Sequence, residues 1–237
     1  MATVAPVALV AGVGPGLGAA LCRRLAQAGY AVAGLARGAA FGRQLEREIG
    51  DAGGRMATFA CDVADAAAVE RAFGAVERAL GAVSVLVYNA GQFLMKPFAD
   101  TAPSEFEAAW RVNCAGAFLC AQRALPAMLQ RGAGVMVFTG ATGGVKAGAR
   151  FAAFGSAKFA LRGLAQSLAR ELGPRGIHVA HAVIDGVIWS ERARQRGAHQ
   201  AQCLMPEAVA ETYLQLIRQD RCAWTHELDL RPDVEPF

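Results

Sequence analysis

The sequence comprises 237 residues, 54% of them hydrophobic, and its 24 basic and 20 acidic residues leave a formal net charge of +4. A chain of this length fits one domain over residues 1–237, and its scattered basic residues lack the stripe or aromatic platform that would make nucleic acid an expected partner. Six cysteines form no C-x-x-C pair, no secretory signal is recognised, and no uninterrupted apolar stretch reaches roughly 20 residues, so we expect a soluble cytoplasmic protein without a metal site or a membrane span.

Short Val-rich apolar runs alternate along the chain with longer Ala, Leu and Arg segments of helical period. This alternation predicts parallel strands that are buried on both faces by helices. The predicted strands are 7–11, 31–36, 56–61, 83–88, 134–139, 178–184 and 227–230. The predicted helices are 17–28, 41–51, 66–80, 104–130, 152–172 and 206–219. We therefore expect a three-layer, doubly wound α/β fold with a mainly parallel seven-stranded sheet.

Several predicted helix ends carry recognisable residues. Asp65 and Ser104 are predicted N-caps, because their side chains can accept hydrogen bonds from the first helical turn. Gly29 and the Gly173-Pro174 pair are predicted stops, since glycine tolerates the left-handed conformation and proline cannot continue a helix.

A glycine-rich turn follows the first predicted strand, where residues 12–18 read GVGPGLG and lead into a helix. Only small residues let backbone N–H groups approach a pyrophosphate, whose charge the helix N-terminus then stabilises. Glycine also makes ordinary turns, and the same strand-turn-helix unit serves methyltransferases. The strand before the turn and the helix after it favour a nucleotide site.

The end of the second predicted strand bears on which dinucleotide is bound. Sites of the NAD type commonly place a carboxylate there for the adenosine ribose, but this chain has Ala36, followed by Arg37. A 2′-phosphate would meet the Arg37 cation rather than a repelling carboxylate. This arrangement favours NADP(H), with NAD(H) as the alternative if Arg37 is an ordinary surface arginine.

Two more motifs complete a family pattern. Tyr88-Asn89-Ala90-Gly91 follows the fourth predicted strand, and Lys158 stands two residues after a serine. With the glycine turn, these motifs make the chain resemble the short-chain dehydrogenase/reductase family over essentially its whole length, although Ala11 occupies the slot of the family's threonine. The resemblance implies a Rossmann fold, a nicotinamide dinucleotide cofactor and a small carbonyl or alcohol substrate.

The resemblance also assigns cofactor contacts to individual residues. By resemblance, the diphosphate is bound by Gly12, Gly16, Leu17 and Gly18, and the adenine by Asp62 and Val63. The sheet beside the cofactor is stabilised by Asn89, Ala90 and Gly91. The nicotinamide end is bound by Lys158, Gly186, Ile188 and Ser190. Within this last group the chain departs from the family, because Asp185 replaces a proline and Ser190 a threonine. Serine supplies the same donor and acceptor as threonine, so we expect cofactor binding to survive these changes.

The catalytic positions implied by the resemblance are only half retained. Asn113 matches the asparagine that interrupts a long helix to hold a water in a proton relay, and Lys158 matches the lysine that binds ribose and lowers the pKa of a tyrosine. Phe154 stands at the tyrosine position, and Ala141 stands at the position of the serine that polarises the substrate. Phenylalanine cannot donate a proton, so the proton has to come from the neighbouring Thr142 hydroxyl or from water.

These observations leave three functions in competition. The first is an NADP(H)-dependent oxidoreductase that acts on a carbonyl or alcohol with an altered catalytic tetrad. The second is a catalytically silent dinucleotide-binding protein, a sensor or an assembly subunit, which the changes at positions 141 and 154 favour. The third, methyl transfer, leaves Lys158 and the Asn89-Ala90-Gly91 motif unexplained.

The expected partners are a small-molecule substrate and further copies of the chain. The helices that carry Asn113 and Lys158 are apolar on more than one face, which predicts a homodimer or homotetramer. The substrate pocket would be walled by residues 93–98, 145–151 and 189–204. The last of these segments is polar and Arg-rich, so it is either a flap over the pocket or a solvated helix.

Overall fold

The computed structural model describes residues 5–235. Its strands are β1 (Val7–Ala11), β2 (Ala31–Ala36), β3 (Arg55–Ala60), β4 (Val83–Tyr88), β5 (Gly134–Thr139), β6 (Ile177–Ile184) and β7 (Glu227–Leu230). They form one seven-stranded sheet in the order β3-β2-β1-β4-β5-β6-β7. All six pairings are parallel, which confirms the predicted doubly wound α/β fold.

Helices cover both faces of this sheet. They are α1 (Leu17–Gln27), α2 (Ala39–Asp51), α3 (Ala66–Ala79), α4 (Pro103–Trp110), α5 (Gly116–Arg131), α6 (Ala152–Leu172), α7 (Glu191–Gln195) and α8 (Pro206–Ile217). Within residues 5–235, none of the helices combines the length and the apolar character needed to cross a bilayer.

The core consists of two apolar clusters, one on each side of the sheet. Strand β1 shows why, since Val7, Leu9 and Ala11 face the cluster with α3, α5 and α6, whereas Ala8 and Val10 face the cluster with α1, α2 and α8. Successive side chains of a strand point to opposite faces, so a strand buried on both sides has to be apolar throughout. All five residues of β1 are buried.

The long helix predicted over 104–130 is interrupted. Residues Arg111–Ala115 form a π-helical turn between α4 and α5, and Asn113 lies within it. Ser104 was a wrong N-cap prediction, because α4 already begins at Pro103, whose fixed φ suits the first helical position. The Glu105 carboxylate instead accepts a hydrogen bond from the Ala102 backbone N–H at 2.9 Å. Asp65 does cap α3, by accepting from the Ala67 N–H.

The carboxyl ends of the strands gather the functional segments. Strand order reverses at β1, whose neighbours β2 and β4 lead in opposite directions across the sheet. In open α/β sheets ligands bind in the crevice at such a point, outside the carboxyl ends of the strands. The glycine turn after β1, the Asn89 segment after β4, the Ala141 segment after β5 and the Gly186 segment after β6 all meet there.

Candidate active site

The glycine turn is shaped by close contacts that only glycine allows. A Cβ on Gly12, whose φ is +93°, would lie 2.6 Å from the Ala90 backbone, and one on Gly18 would lie 2.5 Å from the Gly12 carbonyl oxygen. The Asn89 side chain reinforces this contact, because its Nδ2 donates to the Gly12 oxygen at 3.0 Å. Gly16, with φ +126°, has open space where its Cβ would be. Space is therefore open before α1, whose first N–H groups have no intrahelical partner, as an anion site requires.

A cavity of about 600 Å³ opens beside this turn. Its lining includes Gly12, Gly14, Ala36, Arg37, Asp62, Val63, Asn89, Ala90, Gly91 and Arg192. Among the described residues, Asp62 is the one that contributes a carboxylate to this lining. Its carboxylate accepts a hydrogen bond from the Ala64 N–H at 3.0 Å. Arg37 and Arg192 bring positive charge to the same space, and the second of them was not anticipated from the sequence.

A second cavity of about 880 Å³ adjoins the first and shares Asn89, Gly91 and Phe93 with it. Three aromatic rings form one side of it. Phe93 and Phe154 have ring centroids 5.2 Å apart, and Phe151 lies 5.7 Å from Phe93. The structure therefore surrounds position 154 with apolar rings, and the side chain there has no atom that can donate a proton.

Lys158 reaches this cavity from α6. The residue is 5% exposed, and its Nζ donates to the Thr139 carbonyl oxygen at 2.9 Å. Burial lowers the pKa of Lys158 to about 8, because the charged form loses its hydration. The ammonium lies 5.8 Å from the centre of the Phe154 ring, within the range of a cation–π contact. A Cβ on Gly91 would lie 3.7 Å from this ammonium, so Lys158 lies close to a residue that lines both cavities.

Asn113 fastens the segment after β4 to the π-helical turn. It is fully buried, and its Nδ2 donates to the carbonyl oxygens of Gln92 and Ala109, both at 2.9 Å. Its Oδ1 accepts from the Gln92 N–H at 3.3 Å. These bonds engage both ends of the amide with backbone groups. The role of Asn113 in holding a water stays a prediction.

Ala141 and Thr142 line the larger cavity. Ala141 has an extended backbone, with φ −159° and ψ 162°, and contributes only a methyl group. The Thr142 hydroxyl donates to Asp185 Oδ1 at 2.5 Å, and Asp185 Oδ2 accepts from Arg231 Nη2 at 2.5 Å. Thr142 is therefore held in a polar chain with Asp185 and Arg231, which lie outside the lining of both cavities, and the sequence did not indicate this chain.

The segment after β6 supplies Gly186 and Ile188 to the larger cavity. Gly186 has φ +145°, and a Cβ there would lie 2.8 Å from Pro232. Ile188 pairs with Leu204 in an isolated bridge, which ties the two ends of segment 189–204 together. Ser190 lies outside the lining of both cavities, and its hydroxyl caps α7 by accepting from the Ala193 N–H at 3.1 Å. Its contact with a carboxamide stays a prediction.

No tyrosine takes the place of the missing phenol. The chain has three tyrosines, all described, and none of them lines either cavity. Tyr88 donates to the Val112 carbonyl oxygen at 2.5 Å. Tyr213 is fully buried behind the cavity wall, where its hydroxyl donates to Thr139 Oγ1 at 3.0 Å.

The comparisons with known proteins agree with this architecture. The family model described as short chain dehydrogenase matches residues 6–201. The chain therefore belongs to the short-chain dehydrogenase family.

Among its relatives is a short-chain dehydrogenase/reductase of Armillaria gallica, 38% identical over 176 residues that cover 73% of this chain and 67% of the relative. A solved short-chain dehydrogenase of Rhodopseudomonas palustris is 34% identical with a TM-score of 0.85, covering 96% of this chain and 98% of the other. A solved variant of actinorhodin polyketide ketoreductase with NADPH is 27% identical with a TM-score of 0.89, covering both chains fully.

Proposed function

We propose that this protein is an NADP(H)-dependent oxidoreductase that converts a small carbonyl compound or alcohol with an altered catalytic tetrad. We propose further that residues 1–237 act as one dinucleotide-binding domain in the cytoplasm. One observation carries the proposal. A charged cavity beside the glycine turn adjoins a largely apolar cavity, and buried Lys158 lines the second of them close to Gly91, which lines both. A dinucleotide together with a substrate needs this combination of surfaces.

The residues present fit a dinucleotide. Gly12 and Gly18 lack side chains where a Cβ would collide with backbone, and Gly16 leaves open the space before α1. Arg37 and Arg192 line the cavity in which the adenosine half would lie, and either guanidinium suits a 2′-phosphate. The structural neighbour solved with NADPH supports the same choice of cofactor. NAD(H) is the alternative if these arginines do not contact the cofactor.

When bound, the nicotinamide would supply or take up the hydride. Lys158 would bind its ribose through an ammonium that is mostly charged at neutral pH, since its pKa is about 8. Asn113 would maintain the cavity wall through Gln92. The proton would be exchanged with Thr142 or with water, because Phe154 and Ala141 provide no hydroxyl.

The bond between Thr142 and Asp185 favours one direction of that exchange. A threonine hydroxyl has one hydrogen, and Thr142 already donates it to Asp185. Its oxygen therefore offers lone pairs to a ligand and can accept a proton from an alcohol while its own proton passes to Asp185. Donation to a carbonyl would first require the bond with Asp185 to break. We therefore propose that alcohol oxidation is favoured at Thr142 and that reduction relies on water.

We also propose that the protein forms a homodimer or homotetramer. Large apolar side chains are exposed along α4, α5 and α6, namely Phe106, Trp110, Phe118 and Phe159. Their exposed fractions lie between 43% and 47%, more than a lone soluble chain needs to present on adjacent helices. Gel filtration at micromolar concentration that gives only a monomer would refute this.

The alternative is a catalytically silent protein that binds the dinucleotide, and the apolar surroundings of Phe154 favour it. Purified protein titrated with NADPH, and then mixed with ketones, aldehydes and quinones, separates the two functions. Turnover, followed by nicotinamide absorbance, supports the oxidoreductase. Binding without turnover of these carbonyl compounds, or of the matching alcohols with NADP⁺, supports the silent protein. If calorimetry detects no binding of NADPH, NADP⁺ or their NAD counterparts, both functions fail.

A further inference from the structure

All the charged side chains that line the larger cavity are positive. It includes Lys146, Lys158 and Arg196, and no Asp or Glu side chain of residues 5–235 belongs to it. Its remaining surface is largely apolar, with Phe93, Phe151, Phe154, Val187 and Ile188 among its walls. A neutral, wholly apolar ligand would leave these cations without a counter-charge.

Two of these three cationic side chains form no hydrogen bond or ion pair with the described residues of the protein. Lys158 donates to the Thr139 carbonyl, and Lys96, the chain's other lysine, forms an ion pair with Glu105 at 2.8 Å. By contrast, the side chains of Lys146 and Arg196 make no hydrogen bond or ion pair with any residue between 5 and 235. Arg194, two residues before Arg196, pairs with Glu191 and lies outside the cavity lining.

The two cations come from two separate segments that line the cavity. Lys146 belongs to the segment between β5 and α6, and Arg196 directly follows α7. Both residues are exposed, so they lie at the mouth of the cavity, whereas Lys158 is buried. Neither lines the cavity beside the glycine turn, where Arg37 and Arg192 provide the charge for a phosphorylated cofactor.

The geometry points to a substrate class. The larger cavity takes an aromatic or similarly apolar alcohol or carbonyl compound with a carboxylate at its far end, and Lys146 and Arg196 bind that carboxylate while the aromatic rings contact its body. This assignment rests on the proposed function. It goes beyond it by making the anionic group the feature that distinguishes a substrate from a neutral analogue.

The test compares 4-(hydroxymethyl)benzoate with its uncharged methyl ester. Both are offered to protein saturated with NADPH, because an alcohol with reduced cofactor cannot react and binding is measured without turnover. We expect calorimetry at low salt to give an affinity about tenfold higher for the acid, since two exposed charge contacts each contribute modestly. The preference should shrink as salt is added, because exposed charges are screened.

Variants then assign the preference to the two side chains. Lys146→Gln combined with Arg196→Gln should bring the acid-to-ester ratio close to one, whereas Lys146→Arg should keep most of it. Arg194→Gln is the matched control, because Arg194 lies on α7 but outside the cavity lining. None of these variants should change NADPH affinity.

The outcomes are separable. If NADPH does not bind, the proposed function fails. If NADPH binds but the acid and the ester bind equally, or neither binds, the substrate class is wrong while the proposed function stands. A preference for the acid that survives the double variant also overturns the assignment.

Discussion

The Thr142 hydroxyl donates to the Asp185 carboxylate, with 2.5 Å between Oγ1 and Oδ1. Asp185 is held from its other side by Arg231 Nη2, also at 2.5 Å. Thr142 and Asp185 are 43 positions apart in the sequence, and they meet because they follow β5 and β6, which are adjacent and parallel. The pair gives the larger cavity a hydroxyl whose hydrogen is already engaged.

If this pair exchanges the proton, Asp185→Asn should impair alcohol oxidation, because an amide cannot take up the proton that Thr142 releases. We expect kcat to fall by about 10²-fold, the lower end of the contribution of a positioned proton acceptor. Thr142→Val should have a similar effect, and Thr142→Ser should retain most of the rate. The rates are measured from nicotinamide absorbance, with NADPH affinity as the control for folding. Unchanged oxidation in both Asp185→Asn and Thr142→Val would leave water as the proton acceptor.

Restoring the missing hydroxyls should increase carbonyl reduction. Phe154→Tyr places a phenol near the Lys158 ammonium, which lies 5.8 Å from the ring centre, and Ala141→Ser adds a donor beside it. Since a general acid contributes roughly 10²- to 10⁴-fold, we expect the double variant to gain at least about 10²-fold in kcat for a ketone or aldehyde. Phe154→Leu is the control that changes the ring without adding a hydroxyl. A double variant no faster than wild type would show that the acid of this enzyme lies elsewhere.

Arg37→Asp should reverse the cofactor preference. The substitution replaces a cation in the lining of the smaller cavity by a carboxylate that would repel a 2′-phosphate and accept hydrogen bonds from ribose hydroxyls. We expect NADPH affinity to fall about 10- to 100-fold, the range of a lost charged hydrogen bond, and NADH affinity to rise. Arg43→Asp, on α2 and outside that lining, is the matched control. Equal affinity of the wild type for both cofactors would contradict the preference for NADP(H).

The burial of Lys158 should make the stability of the ligand-free protein depend on pH. Its pKa is about 8 in the folded state and 10.5 in the unfolded state, so the unfolded state binds the extra proton between these values and stability rises with pH. Below pH 8 the buried charge costs about 3 kcal/mol, an order-of-magnitude figure from that shift. Lys158→Met should therefore stabilise the protein at pH 7, less the loss of the hydrogen bond to Thr139.

This gain should largely disappear near pH 10.5. Burial raises the pKa of Cys22 to about 12 and that of Cys61 to about 11 from 9.0, so these thiols lower stability as the pH rises above 9. The informative quantity is accordingly the difference in the free energy of unfolding between Lys158→Met and wild type, measured by urea denaturation at pH 7 and at pH 10. A difference that does not change with pH would contradict the buried-charge account. Weaker NADPH binding by the variant would separately support a contact with ribose.

The strands were predictable because a parallel strand covered on both faces has to be apolar throughout. The ranges 7–11, 31–36, 83–88, 134–139 and 227–230 match the structure residue for residue. Strand β3 lies one residue earlier than predicted, since its side chains are only partly buried and the pattern is weaker there. The glycine turn was equally predictable from the sequence, because Gly12 lies so close to the Ala90 backbone that a side chain does not fit there.

The site was less predictable where long-range contacts decide it. The π-helical turn is accompanied by hydrogen bonds from Asn113 to Gln92, 21 residues away, which a helical period cannot show. The sequence shows Arg192 only as part of a polar segment, whereas the fold brings it to the lining of the smaller cavity. The interaction of Asp185 with Arg231 spans 46 residues and likewise has no local signature.

The hydrogen bonds of Asn113 have a mechanical consequence. They join the backbone just before Phe93 to a turn flanked by Trp110 and Phe118, whose side chains are 44% and 47% exposed. A displacement of α4 or α5 would therefore be transmitted to an aromatic ring of the larger cavity. A molecule packed on the outside of these two helices would therefore act on the turn to which the backbone beside this cavity is hydrogen-bonded.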